Sequence, residues 1–159
     1  MANFIGEFEC KIDAKGRLML PSGLRKQLDP AAQEKFVLNR GFEKCLVLYP
    51  KNEWEGISAE VNKLNQYVKK NREFIRYFYR GASELGLDAV GRILFPKQML
   101  TYAGVEKEVV LFAYSNRIEV WDAETYNSLL TDEPDDFANL AEEVMGGGAP
   151  KKEEGDELP

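Results

Sequence analysis

Asp13-Ala14-Lys15-Gly16-Arg17-Leu18-Met19-Leu20-Pro21 decides how this chain is read, because it recurs as Asp88-Ala89-Val90-Gly91-Arg92-Ile93-Leu94-Phe95-Pro96. The offset is 75 residues, with five of nine positions identical and three more matched by apolar residues. Similarity runs outward on both sides. Glu9 aligns with Glu84 and Ile12 with Leu87; Phe36-Val37-Leu38 aligns with Val109-Val110-Leu111, and Leu46-Val47-Leu48-Tyr49 with Ile118-Glu119-Val120-Trp121. Trp54 then matches Tyr126, and Ile57 matches Leu129. A series in this order is a duplication, and a duplication constrains the architecture before any single element is assigned.

Each copy predicts the same local structure. A strand near residues 6–12 (82–87 in the second copy) meets a turn at Asp-Ala-x-Gly, where Asp offers its carboxylate to nearby backbone N–H groups and Gly supplies a positive φ. A short apolar strand follows at 17–20 (92–95). Pro21 and Pro96 suit the first position of a helix, where a missing N–H costs nothing. That helix is expected to run through Leu24 and Leu28, and through Met99 and Leu100. Two further strands follow at 36–39 and 45–49, and at 108–113 and 117–121, turning at Asn39-Arg40-Gly41-Phe42 and Ser115-Asn116. A copy of about 45–50 residues lies near the lower limit for a stable core. It is therefore expected to share its core with a sister copy, inside the chain or between chains.

Between the copies, Trp54, Ile57, Val61, Leu64 and Val68 recur at spacings of three and four, predicting one amphipathic helix. A second helical segment spans 71–80, with Arg72, Arg76 and Arg80 four apart on one face, read as a solvated face or a stripe for carboxylates. Past Leu130, Asp132-Glu133-Pro134-Asp135-Asp136 breaks any strand, a short helix is expected from Phe137 to Met145, and Gly146-Gly147-Gly148 reads as a linker to a disordered acidic end.

Composition narrows the chemistry. The 159 residues contain no histidine, which removes Ser–His and Cys–His catalysis and His-based zinc sites. Cys10 and Cys45 stand alone in apolar segments and read as small hydrophobes rather than a disulfide or a reactive thiol. No metal and no cofactor is expected. No apolar run approaches the roughly 20 residues of a membrane span, and residues 1–7 have neither the basic nor the apolar part of a secretory signal, so a cytoplasmic protein is expected. The net charge of −6 averages two unlike regions: residues 1–121 hold 19 Lys+Arg against 15 Asp+Glu, and residues 122–159 hold 2 against 12. A mildly basic body carries an acidic tail.

Lys15 and Arg17 flank Gly16 where the turn meets the strand; Arg92 repeats the second placement, while Val90 replaces the lysine. Arginine presents a planar fork that matches guanine O6/N7 or phosphate, lysine supplies a mobile charge for phosphate, and a two-stranded ribbon can enter a major groove. One reading gives the chain two arginine-tipped ribbons gripping spaced points on duplex DNA. The other holds that the Asp–Arg pairs only stabilise their turns. Asp13 and Asp88 are structural under both.

These residues resemble a known family. Phe4-x-Gly6, Asp13-x-Lys15-Gly16-Arg17 and Pro21-x-x-Leu24-Arg25 look like the first half of MraZ. Arg72-x-Phe74-x-Arg76, Gly81-Ala82-x-Glu84, Asp88-x-x-Gly91-Arg92 and Pro96 look like its second half, and the match runs from residue 1 to about 130. The resemblance implies an α+β fold of two tandem AbrB-like swapped-hairpin β-barrel units related by a pseudo-two-fold axis, with helices between and after them. It divides the chain into a first repeat at 1–50, a helical connection at 51–80, a second repeat at 81–125, a helical segment at 126–145 and a tail at 146–159. It further implies a ring-forming homo-oligomer that binds direct repeats in double-stranded promoter DNA of the division and cell-wall gene cluster, as a nucleoid-associated repressor without enzymatic activity or a small-molecule substrate. The implied DNA contacts are Lys15, Arg17 and Arg92, with Arg25 nearby; Asp13, Gly16, Pro21, Asp88, Gly91 and Pro96 shape the turns. Where many relatives carry His, this chain has Cys10, so no role of that His carries over. The competing class is an AbrB-like antitoxin or interaction module whose acidic tail binds a basic protein.

Overall fold

The duplicated strands do not stay in their own halves. The computed structural model describes residues 3–130 and 134–146, and the chain divides after Tyr126 into two units. In chain order the first unit runs β1 (Phe4–Lys11), β2 (Arg17–Met19), α1 (Ser22–Arg25), a 3-10 turn (Pro30–Ala32), β3 (Lys35–Arg40), β4 (Leu46–Pro50), α2 (Lys51–Asn62), α3 (Lys69–Tyr79), β5 (Ser83–Gly86), β6 (Arg92–Leu94), α4 (Lys97–Ala103), β7 (Glu108–Ser115) and β8 (Arg117–Asp122), and enters α5 (Ala123–Leu129). The second unit holds α6 (Pro134–Met145). The linker and acidic end expected beyond Gly146 lie outside the described residues.

Six strands form one antiparallel sheet in the order β1-β7-β8-β4-β3-β5, and β2 pairs with β6 in a separate ribbon. Exchanging the two copies leaves this order unchanged. β1 lies on β7 with Cys10 opposite Val109; its counterpart β5 lies on β3 with Leu85 opposite Phe36. The first strand of each copy thus completes the sheet of the other, which answers the shortage of core that a copy of this size faces alone. The expected closed barrels are not found among the described residues: the sheet ends in two edges, β1 and β5.

The ribbon packs on the sheet through alternation. Leu18 and Ile93 stand opposite each other, 1% and 0% exposed, among Leu20, Leu24, Phe36, Leu38, Phe95 and Val120. Burying one such side chain is worth about 1.5–3 kcal/mol. Both faces of β3 and β4 are covered, so Phe36-Val37-Leu38-Asn39 is buried without alternation. The second cover comes from the helical connection. Trp54 stacks on Phe78 at 5.6 Å and meets Tyr49 at 5.5 Å, while buried Asn39 donates its Nδ2 to the Phe78 carbonyl at 2.7 Å.

Three expectations about helices fail for local reasons. Pro21 and Pro96 are not first helical residues but the extended caps before them, with ψ of 140° and 137°; their carbonyls accept the first helical N–H groups. The first helix stops at Arg25 and does not reach Leu28, because Asp29 precedes Pro30 and so leaves the helical region, instead accepting the Ala31 N–H in a new 3-10 turn. The stripe from Trp54 to Val68 is not one helix. Asn65 Oδ1 takes the Tyr67 N–H, and the carbonyls of Asn65 and Gln66 accept from Asn71 and Arg72 side chains, so local bonds displace the helical ladder between Asn62 and Lys69. The last helix begins earlier than expected, at Pro134.

Candidate nucleic-acid interface

The repeated turn is built twice to nearly the same dimensions. Asp13 Oδ1 accepts the backbone N–H of Lys15 at 3.0 Å and of Arg17 at 2.8 Å, and its Oδ2 accepts Arg17 Nε at 2.8 Å. Asp88 does the same for Val90 at 3.0 Å, Arg92 at 2.9 Å and Arg92 Nε at 2.8 Å. The Arg17 backbone N–H, more than its guanidinium, holds the Asp13 carboxyl below the usual carboxylate range, and Arg92 acts likewise on Asp88. Both carboxylates are therefore ionised at neutral pH.

Gly16 and Gly91 have φ of +90° and +89°, backbone that side chains rarely adopt. Each also ties the copies together: the Gly16 carbonyl accepts the Phe95 N–H at 2.8 Å, and the Gly91 carbonyl accepts the Leu20 N–H at 3.0 Å. A Cβ at Gly16 would sit 3.0 Å from the Phe95 oxygen, so the turn of one copy is fitted against the strand of the other.

This pairing brings together what the sequence had set 75 residues apart. Since Leu18 and Ile93 point inward, Arg17, Met19, Arg92 and Leu94 share the outward face of one ribbon, with Arg17 opposite Leu94 and Met19 opposite Arg92. Arg17 and Arg92 are diagonal neighbours, about 7–8 Å apart at their backbones. They are not two separate tips but one bipartite patch. Their side chains are 33% and 35% exposed, and beyond Nε neither guanidinium has a protein partner among the described residues. The ion pairs of the turn-stabilising reading exist. They use one edge of each fork and leave the Nη edge available.

The cations beside the patch come from both copies. Lys15 is exposed and has no ion pair among the described residues. Arg25 makes a bridge to Glu34 Oε2, 2.9 Å from Nη2 and 3.3 Å from Nε, yet its Nη1 lies 2.6 Å from where a Cβ at Gly91 would stand. Arg25 of the first copy therefore lies on the turn of the second. Its counterpart, Leu100, reaches the first turn, with a methyl 3.6 Å from a Cβ at Gly16. Each end of the ribbon thus carries one turn arginine and one further cation: Lys15 with Arg17, and Arg25 with Arg92. Exposed Val90, which stands where the first turn has its lysine, lies beside a cation that its own copy does not supply. The sequence reading missed this exchange, and it missed half-exposed Met19 and Leu94 as part of the face. The two-residue period of a strand, which sets the first and third residues of Arg17–Met19 and Arg92–Leu94 on one face, was the available signal.

Among the described residues, no group of His, Cys, Asp and Glu could hold a metal ion, and no helix is long and apolar enough to cross a membrane. Cys45 is buried and Cys10 only partly so; burial pushes their thiols up to about 12 and about 11.

The family model described as "MraZ protein, putative antitoxin-like" matches the chain twice, over residues 3–77 and 78–146. The chain belongs to the MraZ family. Three relatives, each named transcriptional regulator MraZ, are similar over nearly the whole length. The protein of Christiangramia forsetii is 51% identical over 92% of this chain and 95% of its own. That of Flavobacterium psychrophilum is 49% identical over 92% and 94%, and that of Cytophaga hutchinsonii 39% identical over 97% and 100%. The resemblance read from the two turn motifs is thus the family that matches, and both matched stretches contain one turn motif each.

Proposed function

We propose that this chain is a transcriptional regulator that binds double-stranded DNA through the β2/β6 ribbon. The observation that carries the reading is the outward face of that ribbon, where Arg17 and Arg92 stand side by side with Lys15 and Arg25 at the two ends. The naming of three MraZ relatives as transcriptional regulators agrees with it. A two-stranded ribbon is narrow enough for a major groove. Asp13 and Asp88 fix each arginine through Nε, so that its Nη edge is presented in one orientation, and a preset rotamer loses less entropy on binding. Arg17 and Arg92 read guanine edges or phosphates; Lys15 and Arg25 take flanking phosphates.

One ribbon per chain gives little area, so assembly matters. The family resemblance supports a ring-forming homo-oligomer whose ribbons engage successive direct repeats, gaining affinity through linked binding. It supports as targets the promoter repeats of the division and cell-wall gene cluster, repression as the outcome, and a nucleoid-associated cytoplasmic location. No catalytic role is assigned. The test is footprinting of the purified full chain on the DNA upstream of its own gene. Protection of spaced repeats, lost in the Arg17→Gln/Arg92→Gln variant while its oligomeric state is kept, is the expected result; protection that survives the double change refutes the reading.

A second reading is favoured by the family description as antitoxin-like and by the acidic balance of residues 122–159: a module whose tail holds a basic protein. A pull-down comparing the full chain with one ending at Leu130 separates the two. Only the second reading expects a stoichiometric basic partner that is lost on truncation.

A further inference from the structure

A cavity of about 370 Å³ opens between the β3–β4 turn, helix α3, Tyr102 of α4 and the β7–β8 hairpin, and none of its lining residues belongs to the ribbon. Half of those residues are aromatic. Two guanidinium groups enter it. Arg40 Cζ lies 4.7 Å from the centre of the Tyr102 ring, and Arg117 Cζ lies 5.3 Å from that of Tyr49. Arg117 donates Nε to Asn116 Oδ1 at 3.1 Å. Arg40 is different: its Nε is buried and has no hydrogen-bond partner among the described residues. That nitrogen is closed to solvent, so a ligand in the cavity would meet the guanidinium at its Nη edge, which has no hydrogen-bond partner among the described residues.

The cavity's own carboxylates do not answer that donor. Glu119 accepts from Trp121 Nε1 at 2.8 Å and from the Tyr114 hydroxyl at 3.4 Å, and Glu43 is exposed at the rim. Two cations and two carboxylates in one lining already sum to zero, so a singly charged ligand is accommodated more readily than the double charge of a phosphate monoester. At roughly 30 Å³ per water, the space suits a ligand of about a dozen non-hydrogen atoms, and the volume falls within the range of small-molecule sites. We propose that this cavity binds a small aromatic carboxylate, its ring among the tyrosines and phenylalanines and its carboxylate on the Arg40 guanidinium, with Arg117 as the second cation. Carboxylate and guanidinium match as two parallel hydrogen bonds, and Tyr102 holds the fork in plane for them. The proposal is independent of the DNA reading, since the lining and the ribbon share no residue.

The test is isothermal titration of the full chain with 4-hydroxyphenylacetate, its neutral amide, and the non-aromatic cyclohexylacetate. Saturable binding of the first, weaker by about tenfold or more for the other two, is the expected result. Arg40→Gln lowers that affinity about tenfold or more with the thermal midpoint unchanged; should that variant fail to fold, Arg117→Gln provides the same test from the partly exposed side. Absence of saturable binding, equal binding of the amide, or binding indifferent to either substitution overturns the proposal. So does a chain whose self-association is broken by Phe42→Asp or Tyr77→Asp at the rim while no probe binds, because a second copy then covers the cavity.

Discussion

Salt dependence offers the sharpest test of the ribbon, because its cations are few. Lys15, Arg17, Arg25 and Arg92 are the positive groups that the two turns assemble on and beside β2/β6. If each neutralises one phosphate, the log–log slope of affinity against salt is about −3.6 per bound chain. Raising salt from 50 to 200 mM then lowers affinity about 150-fold. Lys15→Gln is the cleanest perturbation, since Lys15 has no ion pair among the described residues to leave behind. It should bring the slope to about −2.7 and the salt-induced loss to about 40-fold. Arg17→Gln strips Asp13 of its partner and places an uncompensated carboxylate against the DNA, so it should lose more affinity than Lys15→Gln for a similar change in slope. Fluorescence anisotropy on a duplex with one binding element measures both quantities. A fourfold glutamine variant that keeps the wild-type slope would refute the reasoning and move the DNA contact elsewhere, with Arg72 and Arg76 of α3 and Arg80 just past its end the next basic groups to test.

Four further outcomes follow from the geometry. Gly16→Ala should destabilise the fold by roughly 1–3 kcal/mol, from its positive φ and the 3.0 Å approach to the Phe95 oxygen, whereas Gly91→Ala displaces only the flexible end of Arg25 beyond the same backbone strain and should cost less in urea denaturation. Leu18→Ala and Ile93→Ala should each cost about 2–5 kcal/mol, and a double-mutant cycle should show coupling of about 0.5–3 kcal/mol, because the two side chains face each other across the ribbon; strict additivity would contradict the pairing. The lowered pKa of Asp13 and Asp88 means that their stabilisation is present above the ordinary aspartate range and is lost as pH falls through the still lower folded values. Urea midpoints followed downward from pH 5 should therefore drop less steeply for Asp13→Asn/Asp88→Asn than for the parent. Cys10 and Cys45, with thiols pushed up to about 11 and about 12, should resist alkylation at pH 8 until the protein is unfolded.

How far the sequence carries the fold can be judged residue by residue. The duplication was visible because turns are local: Asp13 and Gly16 fix their own geometry within five residues, and so do Asp88 and Gly91. Strands β3, β4 and β7 were visible because continuous apolar runs bounded by turn residues have few other uses, and β8 because Ile118 and Val120 alternate with Arg117 and Glu119. The helix ends were not. Periodicity carried Trp54 to Val68 as one helix, but local bonds of Asn65, Asn71 and Arg72 occupy the backbone between Asn62 and Lys69, and no apolar pattern reports such competitors. Least visible was which strand meets which. Nothing in the order of residues says that β2 takes β6 as its partner, or that Arg25 lies on a glycine 66 positions away. Those contacts are set by where the shared core has room, and that is a property of the whole chain.

If the ribbon binds DNA as proposed, the cross-copy exchange has a consequence for the duplex as well. A pair of identical subunits would present two equivalent ends and would prefer a palindrome, because operator symmetry mirrors protein symmetry. Here both halves sit in one polypeptide and have been free to diverge: lysine and leucine attend one end of the ribbon, valine and arginine the other. The ribbon has acquired a direction. A reader with polarity distinguishes a site from its reverse complement, and it suits elements repeated head to tail, all facing one way along the duplex.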